Sequence, residues 1–511
     1  MMFHNEKISL ISLLIIFLIL TGCKTDRPPN IVFILADDLG YAEVGCYGQK
    51  LIETPNIDQL ASNGIRFTQF YSGAPVCAPA RCVLLTGRHT GHAYIRGNDE
   101  WGERGDVWDY AKAVEDPGLE GQRQIPDSIL TVAELLQSTG YKTACIGKWG
   151  LGPPFTEGAP NNQGFDFFFG YNCQRQAHTY YPRHLWKNEE KVWTNNKLVV
   201  PGTQLPEGAD PMDENSYADY MLVEYAPDLM FQETIHFLEE NHSLPFFMYF
   251  ATPVSHVPLQ APDSLVKYYR KKFGKEDPYL GDRGYFPNIS PRATYAAMVS
   301  YLDMQVGQIV EKLKELNVFE NTIIFFTSDN GPTYAGGAES GYFDSAAPFS
   351  SEEGRGKGSV YEGGIRVPLI VQWPGHIKKA GTSDHIGAFY DILPTLCELA
   401  GVQIPKNTDG LSMIPSFVDG TDQQEHEFLY WEFPAYGGQQ AVRMGNWKGI
   451  RRNMFEGNLD IELYDLSSDI KEMNNIAIEN PGIVTRMEMI MRGQHQASTI
   501  DRFKFEVLGD E

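Results

Sequence analysis

The sequence is short of positive charge. Against 66 Asp and Glu stand 42 Lys and Arg, a formal net charge of −24, which argues against a nucleic-acid partner because such binders show a basic face. It also sets a condition: a strongly acidic protein repels anions at long range, so any anion site must be locally basic. Cysteine is scarce, with seven residues, no CxxC and no Cys/His pair at metal-ligand spacing. Neither a disulfide framework nor a structural zinc site is indicated. Long apolar runs are missing too. The one at 8–20, behind Lys7, falls short of the ~20 residues a spanning helix needs and has the form of a secretory h-region. Internal repeats and low-complexity tracts are absent.

What is present is an ordinary globular balance, 42% hydrophobic and 21% charged, in a chain of 511 residues that is long enough for more than one structural unit. Continuous apolar runs recur at 31–36, 142–146, 246–251, 322–327 and 369–373. Runs without polar alternation suit strands covered on both faces, the habit of parallel sheets. Helical patterns at 54–62, 129–138, 217–239, 293–316 and 386–399 alternate with them, which predicts an α/β fold with helices on both faces of the sheet. Two insertions, 98–124 and 161–214, are rich in aromatic, Gly and polar residues, and such loops on a rigid sheet set substrate choice. After about 415 the texture changes to short amphipathic strands (428–433, 440–444, 447–452, 462–464) and a terminal helix at 481–494, predicting a small C-terminal α+β domain.

The first four apolar runs each end at residues that do chemistry: Asp37 and Asp38, Lys148, His256, then Asp329 and Asn330. Open α/β sheets bind ligands just outside the carboxyl ends of their strands, so these residues aim at one crevice. Three carboxylates and an amide carbonyl suit a hard divalent cation, Ca²⁺ or alternatively Mg²⁺, and the lack of Cys and His among them disfavours zinc. Taken singly, Asp37-Asp38 and Asp329-Asn330-Gly331 also read as plain turns. Cys77 opens a loop-to-helix segment, in which Pro79 supplies the φ of a first helical turn. Unpaired N–H groups and the positive dipole end gather at such an entrance, and Arg81, one turn in, adds a bidentate fork for a tetrahedral oxyanion. The thiol alone is equally consistent with an inert buried cysteine. His256 has the chemistry to hand a proton to a leaving alcohol, and Lys357 lies in a glycine-dense string that permits close backbone approach to a ligand. In isolation they read as a loop histidine and a surface charge.

Read together, these strings resemble a known family. Cys77-Ala78-Pro79-Ala80-Arg81 followed by Leu85-Thr86-Gly87-Arg88 resembles the C-x-P-x-R...L-T-G signature of the type I sulfatases. The resemblance implies oxidation of Cys77 to formylglycine by a formylglycine-generating or anaerobic sulfatase-maturing enzyme. Asp37, Asp38, Asp329, Asn330 and position 77 resemble the family's metal site, which implies one divalent cation, Ca²⁺ first. Lys357, shortly before Glu362-Gly363-Gly364-Ile365-Arg366-Val367-Pro368, resembles the family's sulfate-binding lysine segment. Lys148 matches the GKW-x-LG block, His256 in Pro253-Val254-Ser255-His256-Val257-Pro258 matches P-x-x-H-x-P, and Leu463-Tyr464-Asp465-Leu466 is similar to the closing LYDL. The chain departs from the pattern at Gly150, where many relatives carry a sulfate-binding His. His178 is the candidate to supply the missing donor, against the alternative of a satisfied structural histidine.

The resemblance covers nearly the whole chain and implies an alkaline phosphatase/sulfatase-like large domain with a mostly parallel sheet, then the small α+β domain. It implies hydrolysis of sulfate esters: a formylglycine hydrate at position 77 attacks sulfur, His256 protonates the leaving alcohol, and a covalent sulfo-enzyme then releases sulfate. Arg81, Lys148 and Lys357 stabilise the sulfuryl oxygens. Leu20-Thr21-Gly22-Cys23 resembles a bacterial lipobox, which implies cleavage before Cys23, lipidation of that residue and a membrane-tethered exported body, with an uncleaved anchor as the alternative. The expected division is 1–22 signal peptide, 23–29 tether, 30–415 catalytic domain and 416–511 C-terminal subdomain. The five other cysteines, an odd number, suggest no disulfide framework. Sulfated glycans are the implied substrates, and the Gly150 variant with the stretch at 173–186 resembles a subgroup acting on the 4-O-sulfate of galactose or N-acetylgalactosamine. A phosphonate monoester or phosphodiester hydrolase of the same superfamily and a non-catalytic glycan-binding lipoprotein are the alternatives.

Overall fold

The computed structural model describes residues 27–99, 109–418 and 422–511; the signal, lipobox and Cys23 expectations lie outside them. Ten strands form the main sheet: β1 (Asn30–Ala36), β2 (Ile65–Tyr71), β3 (Lys142–Lys148), β4 (Phe167–Tyr171), β5 (His184–Lys187), β6 (Glu190–Trp193), β7 (Phe246–Ala251), β8 (Thr322–Ser328), β9 (Leu369–Gln372) and β10 (Gly381–Ala388). Their order is β10-β2-β9-β8-β1-β7-β3-β4-β5-β6. The central run β8-β1-β7-β3-β4 is parallel throughout. The joins of β9 to β8 and β2, and of β5 to β4 and β6, are antiparallel. The expected α/β architecture with a mostly parallel sheet is therefore present.

β1 shows why its sequence carries no polar alternation. Ile31, Phe33 and Leu35 enter one core layer while Val32, Ile34 and Ala36 enter the other, and every residue of the strand is buried. Side chains of period two covered on both faces must all be apolar. The flanking helices include α1 (Pro55–Ser62), α2 (Cys77–Thr86), α3 (Val132–Gln137), α4 (Ala226–Asn241), α5 (Pro291–Glu315) and α6 (Ile392–Ala400). Every residue of α2 is buried, and Gly87, at φ 67°, closes it by donating its N–H to the Val83 carbonyl. Among the described residues no helix is long and apolar enough to cross a membrane.

The second sheet is antiparallel: β11 (Leu429–Phe433), β12 (Gln439–Met444), β13 (Trp447–Arg451) and β14 (Glu462–Asp465). Helix α7 (Pro481–Gln494) sets Met487 and Met491 against Tyr430, Val442 and Leu463. This small domain is tied to the large one by buried polar contacts. Trp431 Nε1 donates to the Ser72 carbonyl at 2.8 Å, and Lys448 Nζ donates to Glu362 Oε1 at 2.8 Å.

Two expected helices differ. The pattern at 217–239 splits into a 3₁₀ turn (Glu214–Tyr220) and α4, whose first turn contains Pro227, a residue suited to helix starts rather than interiors. The pattern at 386–399 overruns strand β10, which pairs in parallel with β2, before α6 begins at Ile392.

Candidate active site

Four strands of the parallel run and one buried helix deliver the site. Asp37 and Asp38 leave β1, Lys148 ends β3, His256 follows β7, and Asp329 and Asn330 follow β8. Their mutual positions are fixed by backbone bonds: Asp329 N–H donates to the Ala36 carbonyl (3.0 Å), Ser255 N–H to the Asp37 carbonyl (3.0 Å) and Asp37 N–H to the Val254 carbonyl (3.2 Å). Asp38 takes the left-handed region at φ 60°, which an Asp tolerates better than most residues. That turn aims its carboxylate sideways. Asn330 Nδ2 donates to Asp38 Oδ1 at 2.8 Å, and Asp38 N–H donates to Asp329 Oδ1 at 3.1 Å.

Cys77 is the first residue of α2 and lies under this cluster. Its Sγ is 3.6 Å from Asp37 Oδ1 and 3.5 Å from Lys148 Nζ. Lys148 Nζ is 2.6 Å from Asp37 Oδ2, and Lys357 Nζ is 2.7 Å from Asp38 Oδ1. Three cations, Lys148, Lys357 and Arg81, thus stand against the three carboxylates in a chain that is acidic as a whole. Burial, with Asp37 beside it, pushes the Cys77 thiol far above its ordinary pKa. The thiolate is therefore inaccessible near neutral pH, and an unmodified Cys77 is a poor nucleophile.

Arg81 differs from expectation. Its guanidinium is fully buried and turned to the carboxylates: Nη2 donates to Asp329 Oδ2 (2.9 Å) and Asp37 Oδ2 (3.2 Å), Nε donates to Asp329 Oδ2 (3.3 Å), and Nη1 donates to the Lys148 carbonyl. The fork expected on a substrate oxyanion is engaged by two buried acids, whose charge would otherwise be uncompensated. Arg81 holds the acid cluster and the end of β3 together.

The carboxylates are electrostatically unequal. Burial pushes Asp37 upward, but Lys148, His256, Arg81 and Lys357 overcome it and keep that carboxyl below its usual range. Burial and the neighbouring Asp37 raise Asp38 against the pull of Lys357, and burial with Asp37 raises Asp329 to about 6. Asn330 Oδ1 is buried and has no hydrogen-bond partner. Three crowded acids with an orphaned amide oxygen form a hard-oxygen donor set, and this set fits a divalent cation.

His256 and His178 come together, as neither spacing nor periodicity could show: their rings stack with centroids 5.5 Å apart and planes at 22°. His256 Nδ1 lies against the Val257 carbonyl, so Nδ1–H donates there and Nε2 is left facing Asp38 Oδ2 at 3.6 Å. Burial, then Lys357 and Lys148, lower the His256 pKa well below its ordinary value. Burial and His256 do the same to His178. Three further residues were not singled out from the sequence. Tyr180 Oη donates to the Pro253 and His256 carbonyls at 2.6 and 2.5 Å and fixes the loop after β7. Tyr285 places its ring 4.9 Å from His178 and 5.7 Å from His256. Gln174 packs over Gly150, where a Cβ would lie 2.8 Å from Gln174 Nε2. The only sequence signal for Gln174 is its place just past β4, which pairs with β3 through Lys148 and Tyr171.

A mostly parallel sheet whose strand ends gather a hard-cation cradle, two lysines and a histidine around a buried helix N-terminus defines a hydrolase of anionic esters. The chain belongs to the sulfatase family, within the alkaline phosphatase superfamily: the family model "Sulfatase" matches residues 29–402, and "N-sulphoglucosamine sulphohydrolase, C-terminal" matches 355–496. It is similar to N-acetylgalactosamine-6-sulfatase of Homo sapiens, 30% identical over 447 residues that cover 84% of this chain and 74% of the relative. It is similar also to arylsulfatase A of Homo sapiens, 32% identical over 454 residues, 84% of this chain and 75% of the relative. Among solved structures it resembles Ps i-CgsB in complex with k-i-k-neocarrahexaose, with TM-score 0.71, 28% identity and coverage of 92% of this chain and 94% of that one. It is a sulfuric ester hydrolase.

Proposed function

We propose that the protein removes sulfate from galactose-series glycans, with the 4-O-sulfate of galactose or N-acetylgalactosamine as the preferred ester, after conversion of Cys77 to formylglycine. The observation that carries this reading is the enclosure of position 77 by Asp37, Lys148 and the cation cradle, where the thiol itself is held protonated. With both groups in place, position 77 would supply the attacking hydroxyl, and a cation held by Asp37, Asp38, Asp329 and the Asn330 amide oxygen would polarise it and draw off charge.

The chain's own residues do the rest. Lys148 and Lys357 flank position 77 and Asp38, and they bind the sulfuryl oxygens where charge builds in the transition state. His256 gives the proton to the departing sugar oxygen from Nε2, because Nδ1 is anchored on Val257. Burial and then the two lysines lower its pKa, and an arriving sulfate ester offsets the lysines' part of that shift. Gln174 fills the place beside Gly150, and His178, stacked on His256, stands by the reaction centre; the two orient the ester. Likeness to N-acetylgalactosamine-6-sulfatase and to Ps i-CgsB in complex with k-i-k-neocarrahexaose supports the galactose-series part of this reading; the 4-O position rests on the Gly150 variant with the stretch at 173–186 alone. Export and tethering through a lipidated Cys23, and maturation by a formylglycine-forming enzyme, belong to the same proposal.

The test joins two measurements on protein from a host with a maturation system. Peptide mass spectrometry reports formylglycine at position 77, and sulfate release is followed on 4-O- and 6-O-sulfated galactose and N-acetylgalactosamine. Release from the 4-O esters is the expected result; preference for 6-O esters overturns the positional assignment, and an unmodified active thiol overturns the mechanism. Nitrophenyl sulfate set against a nitrophenyl phosphodiester separates the phosphonate or phosphodiester reading, which predicts a large preference for the phosphodiester.

A further inference from the structure

Lys357 depends on a loop that cannot hold its own shape. Five of the eleven residues from Gly354 to Gly364 are glycine, and Gly354 and Gly358 take φ 88° and 84°. Glycine loses more conformational freedom on ordering than any other residue, so a segment of this composition stays fixed only where groups outside it supply bonds. A fixed shape is needed here, because the Lys357 ammonium, 2.7 Å from Asp38 Oδ1, faces the reaction centre.

The large domain ties the loop at two backbone groups. Lys357 N–H donates to the Pro332 carbonyl at 3.0 Å, two residues past Asn330, and Gly358 N–H donates to the Pro75 carbonyl at 2.8 Å, two residues before Cys77. The small domain adds a side chain that bridges Ser359. Gln439, the first residue of β12, is buried; its Nε2 donates to the Gly358 carbonyl at 2.8 Å and its Oε1 accepts from Val360 N–H at 3.1 Å. A carboxamide offers a donor and an acceptor side by side, as a backbone peptide does, and here it stands in for one. The residue directly after Lys357 is thus clamped between the small domain and the Cys77 loop. Gln439 is itself firmly placed. It pairs with Phe433 of β11, and Trp431 of the same strand donates to the carbonyl of Ser72, whose hydroxyl donates to the Asp329 carbonyl.

We propose that Gln439 is a positioning residue for Lys357, which makes the small domain part of the apparatus that binds the sulfuryl group. Gln439 acts through the loop: by holding the Gly358 and Val360 peptides it sets where the Lys357 ammonium stands relative to position 77. The inference rests on the reading of Lys357 as a ligand of the sulfuryl oxygens, and its test is arranged so that the two fail separately.

The experiment is a double-mutant cycle on the mature full-length protein: wild type, Gln439→Met, Lys357→Ala and the two combined. The readouts are kcat/KM on nitrophenyl sulfate and affinity for inorganic sulfate by equilibrium dialysis, which reads the cycle even where Lys357→Ala abolishes turnover. Methionine keeps the length of the side chain and removes both bonds. Gln439→Met is expected to lower kcat/KM about 10- to 100-fold, the scale of an ångström of misplacement in a reacting group, and to weaken sulfate binding. In the Lys357→Ala background the same change should alter either quantity less than about 2-fold, because the loop then has no ammonium to place. The loss should be alike on nitrophenyl sulfate and on a sulfated sugar, since Lys357 acts on the sulfuryl oxygens and not on the leaving group. Gln439→Asn, too short to reach both groups, should fall between wild type and Gln439→Met, and it carries the cycle if thermal unfolding shows Gln439→Met to be misfolded. Equal fold-losses in the two backgrounds overturn the proposal, because they mark a contribution to the fold alone. Wild-type turnover and sulfate affinity in Gln439→Met overturn it too. Wild-type turnover and sulfate affinity in Lys357→Ala overturn the reading of Lys357, and the positioning role with it.

Discussion

Asn330 donates from Nδ2 to Asp38 Oδ1 at 2.8 Å while its own Oδ1, equally buried, has no partner. A buried carbonyl oxygen without a donor costs ~1–3 kcal/mol, and the three acids around it add repulsion that Arg81 and the two lysines only partly offset. A divalent cation removes both costs at once. Added Ca²⁺ is therefore expected to raise the unfolding midpoint, by the equivalent of about 2.7 kcal/mol at a hundredfold excess over Kd, and chelation to reverse it. Asn330→Ala weakens calcium affinity roughly 10- to 100-fold, in line with losses seen when a metal site is depleted of a supporting group. Calorimetric titration that finds no divalent binding in wild type would sink the assignment.

Cys77 carries the second prediction. Its thiol is buried against Asp37 and held protonated, so the unmodified protein is expected to resist alkylation at pH 8 and to show no sulfatase activity. Activity should track the fraction of formylglycine measured by mass spectrometry. Cys77→Ala should lose at least about 10⁴-fold, as when a nucleophile is removed from a catalytic unit. Turnover by a preparation whose Cys77 peptide is entirely thiol is the outcome that contradicts it.

His256 is expected to matter in proportion to how badly the leaving group needs a proton. A sugar alkoxide needs one and nitrophenolate hardly does, so His256→Ala should cost about 10²–10⁴-fold on sulfated sugars and far less on nitrophenyl sulfate. Equal losses on both substrates would assign His256 to binding the sulfuryl group instead. His178 provides the contrast. Stacked on His256 at 5.5 Å, it is expected to show losses that do not depend on the leaving group.

The strands that deliver this site were legible because of where they lie. β1, β3, β7 and β8 occupy the middle of the sheet, covered on both faces, and that position leaves an uninterrupted apolar run followed by a polar end. β10 occupies an edge, pairs only with β2 and carries Gly381, Thr382, Ser383 and Asp384, so its apolar residues blended into the helix after it. Asp37, Asp38, Asp329, Asn330, Cys77 and the lysines drew attention because each stands beside a strand end or in a local motif. Gln174 and Tyr285 did not, since only the folding of the 161–214 insertion and of the loop before α5 over the crevice brings them to Gly150 and the histidine pair.

His495 links stability to pH at the domain junction. Burial works against its charge, but Glu432 at Nδ1 (2.9 Å) and Asp510 at Nε2 (2.8 Å) overcome it and hold its pKa above 6.5. The folded state therefore holds the proton more tightly than the unfolded chain. The stabilisation is full below pH 6.5 and is lost as pH rises through the folded value. His426, raised by Asp391 against its burial, acts in the same direction. Glu43 and Glu472, each raised to about 7 by burial, add a decline that begins lower, above the ordinary carboxyl value of 4.5. His495→Gln should remove ~1–2 kcal/mol at pH 6 and nearly nothing at pH 9, where the histidine no longer bears a charge. Denaturant melts at the two pH values measure this, and an equal loss at both would show a purely steric role.

Gly150 and Gln174 supply the last prediction. Gly150 sits at φ 84°, its N–H bonded to the Asn172 carbonyl at 3.0 Å, and the space its side chain would fill is occupied by the Gln174 carboxamide. Restoring the histidine of other sulfatases by Gly150→His therefore meets two obstacles. One is the left-handed backbone, worth ~1–2 kcal/mol for a residue with a Cβ. The other is the collision with Gln174, which a flexible side chain can relieve only by leaving its place. Gly150→His is expected to lower both stability and turnover of a 4-O-sulfated sugar, and Gln174→Ala alone to lower turnover with little effect on stability. Combining them should recover part of the stability and part of the activity, with a coupling of ~0.5–3 kcal/mol in a double-mutant cycle. Strictly additive effects would mean that the two side chains do not compete for one position, and that Gln174 is not what this chain uses where its relatives use histidine.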